Sequence, residues 1–423
     1  MRGFLFIFLF AYPVFTFAQF EPNYDESKIP DFILPDVLVT KSGDKISNVD
    51  QWEKIRRPEI LELFETEVYG KVPKQACEIK FRIVDNNKNV LDGLADRKQI
   101  KIVFSKEDKK ITADLLIYLP ANQKTAVPVF LALNFDGNHT IYPDSDILIS
   151  ESWVDNEPKV GIFNNISNEL SRGYKSDRWP VPYILSRGYG IAVMHYGDID
   201  PDFDDDFQNG IHPLFYAEGQ TKPAPDEWGS IGSWAFGLIQ SMNYFETDNN
   251  IDQTRVAVLG HSRLGKTSLW AGALDKRFAM VISNESGCGG AALSMRRIGE
   301  TIGRINTVFP HWFCDNFNRY NENEEALPVD QHMLIALMAP RPVYIASAHG
   351  DPWADPKGEF LSGVYASPVY NLYGLRGLDE AVIPPLNSPL NEGHVGYHIR
   401  FGEHSLTYYD WAQFINFADK FLK

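Results

Sequence analysis

The stretch VAVLGHSRLGKTSLWAG, residues 256–272, sets a serine between an apolar run and a helix-forming run. That placement suits a nucleophile. A tight turn would lift the Ser262 Oγ above a sheet, at the positive end of the following helix. The backbone N–H of Arg263 would then face the oxyanion formed on attack. The pattern departs from G-x-S-x-G, because Leu264 stands at the second glycine position and Gly265 comes one residue late. A serine at its free pKa is a weak nucleophile and needs a histidine base oriented by a carboxylate. His404, in HIRFGEHSLTYYDW, follows the last strand-like run and precedes a terminal helix, where the base belongs. His398 lies within that run and His394 before it, and both read as core or surface histidines.

Two carboxylates compete for the acid. Asp351 lies just beyond the run 342–348, and Glu285 ends the run before it. Asp355 is a more distant third. Asp351 is the first choice with Glu285 close behind. One carboxylate orients an imidazole, which leaves the other as a hydrogen-bond partner of the site. Positive charge also gathers here: Arg263 follows the serine, and Lys266 lies one turn on, along the same helix face. A helix N-terminus disfavours cations, so the pair points to function. Arg263 can add a charge-assisted hydrogen bond to a negative transition state, and Lys266 can donate to substrate hydroxyls or a carboxylate.

These residues need a frame, and the apolar runs supply one. Residues 127–135, 190–197, 255–260, 279–286 and 341–348 are nearly continuous apolar segments. Strands buried on both faces look like this, as in a parallel sheet covered by helices. Helical patterns lie between them, at 230–246, 265–275 and 330–339, and a terminal one at 408–422. The alternation predicts a doubly wound α/β fold. Shorter β-rich runs at 77–85, 97–105 and 110–120 predict an antiparallel lead-in. Residues 48–70 predict one or two helices with Asp50 as N-cap. The segment DIDPDFDDDF carries five aspartates in seven residues, but lacks the glycine and glutamate spacing of an EF-hand. It reads as a solvated loop.

The first residues, MRGFLFIFLFAYPVFTFAQF, place Arg2 before an apolar run, with Thr16 and Ala18 at a cleavage position. This is the pattern of a secretory signal peptide cut between Ala18 and Gln19. The run is short and is followed by Pro13, so a stable membrane anchor is not expected. The expected organisation is a signal peptide over 1–18, an extension over 19–50 and one elaborated catalytic domain over 51–423. The net charge of −16 argues against nucleic acid as a partner and for simple solubility. Three cysteines allow one bridge, Cys288 to Cys314, which would leave Cys77 alone. A monomer is expected.

Four stretches carry a resemblance: GHSRLGKTSLWAGALDKRFAMVISNESGCGGAALSMRRIGE, HWFCDNF, PVDQHMLIALMAPRPVYIASAHGDPWADPKGEF and GYHIRFGEH. They resemble the bacterial glucuronoyl esterases of carbohydrate esterase family 15, over residues 52–423. The resemblance implies an α/β-hydrolase, a three-layer sandwich with a mostly parallel sheet. It implies hydrolysis of the ester joining 4-O-methyl-glucuronic acid of glucuronoxylan to lignin alcohols, through a covalent glucuronoyl-serine, with no metal or cofactor. Ser262 would be the nucleophile, His404 the base and Arg263 the oxyanion stabiliser. Lys266, Glu300 and Trp353 match positions that hold the sugar. The family uses either acid position, so Asp351 and Glu285 both stay open. Fungal members carry a bridged cysteine before the serine, where His261 stands here. The alternatives are another secreted carbohydrate esterase (acetyl-xylan or pectin type), a serine peptidase of the same fold, or a non-catalytic glycan-binding protein.

Overall fold

The computed structural model describes residues 20–74 and 77–423; the signal-peptide reading lies outside them. The β-rich runs pair as expected into an antiparallel meander of β1 (Glu78–Asn89), β2 (Ala95–Lys106) and β3 (Lys109–Pro120). β1 is the sheet edge, and its largely exposed side chains include Lys80, Arg82 and Lys88. Charge on an edge strand blunts pairing with a second sheet.

The apolar runs become β4 (Val127–Asn134), β5 (Gly190–His195), β6 (Ile251–His261), β7 (Met280–Asn284) and β8 (Val343–Ala348), followed by β9 (Val395–Arg400). Successive side chains leave on opposite faces and both faces are buried. Val129 and Leu131 of β4, Val256 and Val258 of β6, and Val343 and Ile345 of β8 enter one core. Phe130 and Ala132, Ala257 and Leu259, and Tyr344 and Ala346 enter the other. Helices Ser230–Phe245, Arg263–Leu274 and Pro356–Leu372 cover the first core. Helices Val181–Ser186 and Tyr408–Ala418 cover the second, through Ile184, Trp411 and Phe414. Truncating a side chain buried like Trp411 would cost about 3–5 kcal/mol.

The nine strands run in the order β1-β2-β3-β5-β4-β6-β7-β8-β9. From β3 to β5 the pairing is antiparallel; from β5 onward every neighbouring pair is parallel. The chain leaves β4 first to one side and later crosses to the other. That reversal opens a crevice at the carboxyl ends of the strands. Ser262, Glu285, Asp351 and His404 follow the carboxyl ends of β6, β7, β8 and β9.

Four expectations are corrected. Asn48, not Asp50, caps the helical stretch, accepting the Gln51 N–H at 3.0 Å. Asp50 lies two residues later, inside the first turn, and pairs with Lys54 at the surface. Helix Pro356–Leu372 was not expected, since two prolines interrupt its pattern. Pro356 sits in the first turn, where its missing N–H costs nothing, and Pro368 faces solvent. The aspartate-rich loop is not simply solvated, because Asp198 and Asp200 are buried and Asp202 has a buried carboxylate. Asp200 alone accepts the Ser230 hydroxyl at 2.5 Å and lies 3.2 Å from His212 Nδ1. Finally, Cys288 and Cys314 form no bridge: all three cysteines are free. The Cys314 thiol points at the Thr66 carbonyl, 3.8 Å away, and burial pushes its pKa up to about 12.

Among the described residues no helix is long and apolar enough to cross a membrane. Thiol titration of the denatured chain should find three reactive thiols whether or not a reductant was added first. Two fewer thiols without reductant would restore the bridge.

Candidate active site

The turn after β6 holds Ser262 at φ 58°, ψ −129°, a left-handed conformation that costs a non-glycine residue about 1–3 kcal/mol. Its surroundings fix it there. The Ser262 N–H donates to the Asn284 carbonyl at 2.9 Å, and its own carbonyl accepts the Gly265 N–H at 2.8 Å. A Cβ on Gly260 would lie 1.8 Å from the Leu264 carbonyl oxygen, so that glycine cannot change. The displaced glycine has the same kind of reason. A Cβ on Gly265 would lie 2.9 Å from Ser286 Cβ, so the helix comes closest to the end of β7 at 265 rather than 264. Leu264 instead sends its side chain into the core. The first two N–H groups of helix Arg263–Leu274, those of Arg263 and Leu264, have no backbone partner one turn back and directly follow Ser262.

His404 faces two acids, not one. Its Nδ1 lies 2.6 Å from Asp351 Oδ2 and 3.3 Å from Glu285 Oε2. Ionised carboxylates only accept, so the proton sits on Nδ1, which leaves Nε2 as the lone-pair nitrogen of the neutral ring. Partial burial works against the imidazolium, but the hydrogen bonds and charges of Asp351 and Glu285 outweigh it and hold the pKa up to about 9. Burial raises the Glu285 carboxyl, opposed by its bond to His404 and by the charge of Arg400. Arg400 reaches Glu285 Oε1 at 2.5 Å and holds Asp410 with its Nε at 2.9 Å. The Ser405 N–H donates to Glu285 Oε2 at 3.1 Å. The ligand atoms of Glu285, Asp351 and His404 lie within 4.8 Å of one another, a spacing that could hold a metal ion. Such an ion would have to displace the Nδ1 proton.

The other histidines and the third acid have structural work. His398 is buried between Tyr344 and Asp410, with contacts of 3.1 and 2.9 Å. His394 packs on Phe421 at the far end of β9. Asp355 pairs with Arg296 at 2.7 Å and caps helix Pro356–Leu372. His261 lies with its ring 4.5 Å from that of His404, and its Nδ1 is 2.9 Å from Asn284 Oδ1. Burial, with the nearby charge of His404, pushes it well below the usual histidine range, so a neutral ring backs His404.

On the other side of Ser262 the Arg263 guanidinium lies over Trp312 at 4.6 Å and Phe309 at 5.4 Å. It pairs with Asp202, whose carboxylate also takes Trp312 Nε1 at 2.7 Å, His311 Nε2 at 2.9 Å and the Tyr196 hydroxyl at 2.9 Å. Burial alone would raise the Asp202 pKa; the bond from His311 and the charge of Arg263 do most to bring it down to about 2. Arg263 is thereby aimed and kept charged, while its Nε is buried with no protein partner. Lys266 donates to the Ser286 carbonyl at 2.5 Å and lies 3.7 Å from Glu300. Burial raises the Glu300 pKa, with Lys266 pulling the other way. Trp353 accepts the Glu300 N–H through its carbonyl at 3.1 Å.

All eight residues singled out from the sequence line one cleft of about 350 Å³: Ser262, Arg263, Lys266, Glu285, Glu300, Asp351, Trp353 and His404. The sequence reading missed Asp202, Arg400 and Glu359. Glu359 is fully buried behind the acids and accepts the N–H groups of Ser286 at 2.8 Å and Gly287 at 3.0 Å. Burial pushes it up to about 8, against its bonds from Ser347 and Gly287, so it adds little negative charge near neutral pH. Asp202 was hidden in an acidic run, and Glu359 in a helix that the prolines disguised. Only Arg400, two residues from His398 in a buried strand, gave a signal, as a charge in an apolar run.

A family model described as "Glucuronyl esterase, fungi" matches residues 191–374. The carbohydrate esterase MZ0003, from an unknown prokaryotic organism, is 54% identical over 94% of this chain and 91% of its own length. A promiscuous CE15 esterase from a marine bacterial metagenome superposes with TM-score 0.89 at 53% identity, over 95% of this chain and all (100%) of that one. The glucuronoyl esterase of Solibacter usitatus superposes with TM-score 0.88 at 45% identity, over 93% and 99% of the two chains.

A base must be neutral to accept a proton, so labelling of Ser262 by an organophosphonate should rise with pH and level off above about 9. Asp351→Asn and Glu285→Gln each remove one charge that raises the His404 pKa. Each should move that rise to lower pH, by about one unit or more, read from labelling rates across pH 5–10. A midpoint unmoved in both variants would contradict the shared arrangement.

Proposed function

Because this chain belongs to carbohydrate esterase family 15, the glucuronoyl esterases, we propose that its cleft hydrolyses esters of glucuronic acid through a covalent intermediate on Ser262. The observation that carries this reading is the single cleft in which a strained serine, a doubly paired histidine and the buried Lys266–Glu300 pair meet.

The uronate ester enters with its carbonyl over Ser262. Ser262 Oγ attacks the carbonyl carbon while His404 Nε2 takes the hydroxyl proton. Asp351 and Glu285 stabilise the imidazolium that forms. The carbonyl oxygen becomes an oxyanion held by the Arg263 N–H and, through its unpartnered Nε, by the guanidinium. A preorganised donor of this kind is worth about 3–4 kcal/mol. When the tetrahedral centre collapses, the bond to the alcohol oxygen breaks and His404 returns its proton to that oxygen. A water, deprotonated by His404, then attacks the glucuronoyl-serine by the same route. The second collapse releases glucuronic acid and restores the serine.

Lys266, Glu300 and Trp353 hold the sugar. Lys266 and Glu300 present a donor and an acceptor in a buried place, where an unmatched substrate leaves them unsatisfied. Trp353 offers an indole face for the pyranose. The expected natural substrate is the ester between glucuronoxylan and lignin alcohols, met outside the cell after export by the N-terminal leader. The chain works as a monomer.

Ser262→Ala should lose about 10⁴-fold or more in kcat on benzyl glucuronate, since residues that act as a unit fail together. Retained turnover would reject the assignment. Methyl glucuronate should be preferred over methyl galacturonate and acetylated xylan by at least about tenfold, because a site of buried polar groups rejects ligands that leave them unpaired. Equal rates on acetate esters would favour a general carbohydrate esterase.

A further inference from the structure

The two loops that carry Glu300 and Trp353 are tied to each other by the Glu300 N–H and the Trp353 carbonyl. Neither loop is part of the sheet. Trp353 sits on a single short turn, Pro352–Ala354, between β8 and the next helix. An indole on one such turn keeps its orientation only if something packs against it. In this chain the N-terminal extension supplies that packing.

Three residues of the segment 20–26 reach both loops. Phe20 meets the Trp353 ring edge-on, at 6.1 Å and 80°. The Arg304 guanidinium covers Phe20 at 5.2 Å, so the phenyl ring is held between two partners. The Asn23 carbonyl accepts the N–H of Gly299 at 2.9 Å, directly before Glu300. Gly299 has no room to adjust: a Cβ there would lie 2.3 Å from the Trp353 carbonyl oxygen. Glu26 pairs with Arg296, and with Lys357 at 2.5 Å. Arg296 is buried and also grips Asp355, two residues past Trp353. The extension thus bridges the 296–300 and 353–357 segments from outside the cleft.

We propose that residues 20–26 are a clamp on the sugar subsite, with Phe20 and Glu26 as positioning residues that fix Trp353 and Glu300 without touching the reacting atoms. This rests on the reading of Lys266, Glu300 and Trp353 as the residues that hold the sugar. A clamp of that kind contributes to sugar binding equally in the ground state and the transition state. Its loss therefore raises KM and leaves kcat alone. Chemistry that needs no sugar contact is untouched.

The test uses the full chain with Phe20→Ala, Phe20→Tyr, Glu26→Gln and, as reference, Trp353→Ala. KM and kcat are measured on benzyl glucuronate, and the labelling rate of Ser262 by a small organophosphonate serves as the sugar-independent readout. Phe20→Ala should raise KM about three- to tenfold, the span expected for losing an edge-on aromatic pair. Its kcat and labelling rate should stay within about twofold. Glu26→Gln should move KM in the same direction by less, and Phe20→Tyr should keep it near the parent. If Trp353→Ala raises KM and Phe20→Ala does not, the clamp is wrong and the sugar-site reading stands. A labelling rate that falls along with kcat in Phe20→Ala would reduce the extension to general scaffolding and overturn the proposal. If Trp353→Ala leaves KM unchanged, the sugar-site reading fails and the clamp falls with it.

Discussion

Two carboxylates meeting at one imidazole nitrogen set the terms for the rest of this molecule. The ligand atoms of Asp351, Glu285 and His404 lie within 4.8 Å of one another. Two like charges at that separation repel by roughly 3 kcal/mol at an effective dielectric of about 20. The pair is therefore stable only with positive charge on both sides. Arg400 supplies it on one side through Glu285, and the His404 ring, through its Nδ1–H and its raised pKa, supplies it on the other. Glu359, buried behind them with its carboxyl pushed up to about 8, avoids adding a third negative charge. The sheet order meets this need. β7, β8 and β9 are adjacent and parallel, with Asn284 beside Ala346 and Ala348 beside Arg400, so their carboxyl ends deliver Glu285, Asp351 and Arg400 to one place. A different strand order would separate them.

The opposite wall of the cleft is built by the same logic with the signs reversed. A cation beside a helix N-terminus is unfavourable by itself. Asp202 makes Arg263 tolerable there, and the Trp312 and Phe309 rings give its guanidinium a surface to lie on. Ser262 thus sits between an imidazole braced by two carboxylates and a guanidinium braced by one. The strained turn at φ 58° stays because Gly260 and Gly265 let strand, helix and β7 close around it.

Much of this was legible in the residues, and the parts that were not share a cause. Nearly continuous apolar runs announced β4 to β8, because burial on both faces leaves little room for polar residues. The strand–serine–helix turn could be read despite Leu264, since its three parts are consecutive in the chain. The choice between Asp351 and Glu285 could not be read. Both follow a buried strand, and only the fold shows that they share His404 Nδ1. Asp202 was hidden by its neighbours: in a run of aspartates, nothing local marks the one whose partners, His311 and Trp312, lie about a hundred residues away. Helix Pro356–Leu372 was lost to its prolines, although Pro356 sits in the first turn and Pro368 on the exposed face. The cysteines misled in the opposite direction, since a bridge looked open from composition, yet Cys314 is turned toward the Thr66 carbonyl.

The central claim is that Asp351 and Glu285 together hold the His404 pKa above the ordinary histidine value. A ¹⁵N NMR titration of the histidine side chains, with His404 assigned by its loss in His404→Asn, reads this directly. The account predicts that the His404 ring keeps both protons until the pH approaches about 9. A midpoint near 6.5, the ordinary histidine value, would contradict it.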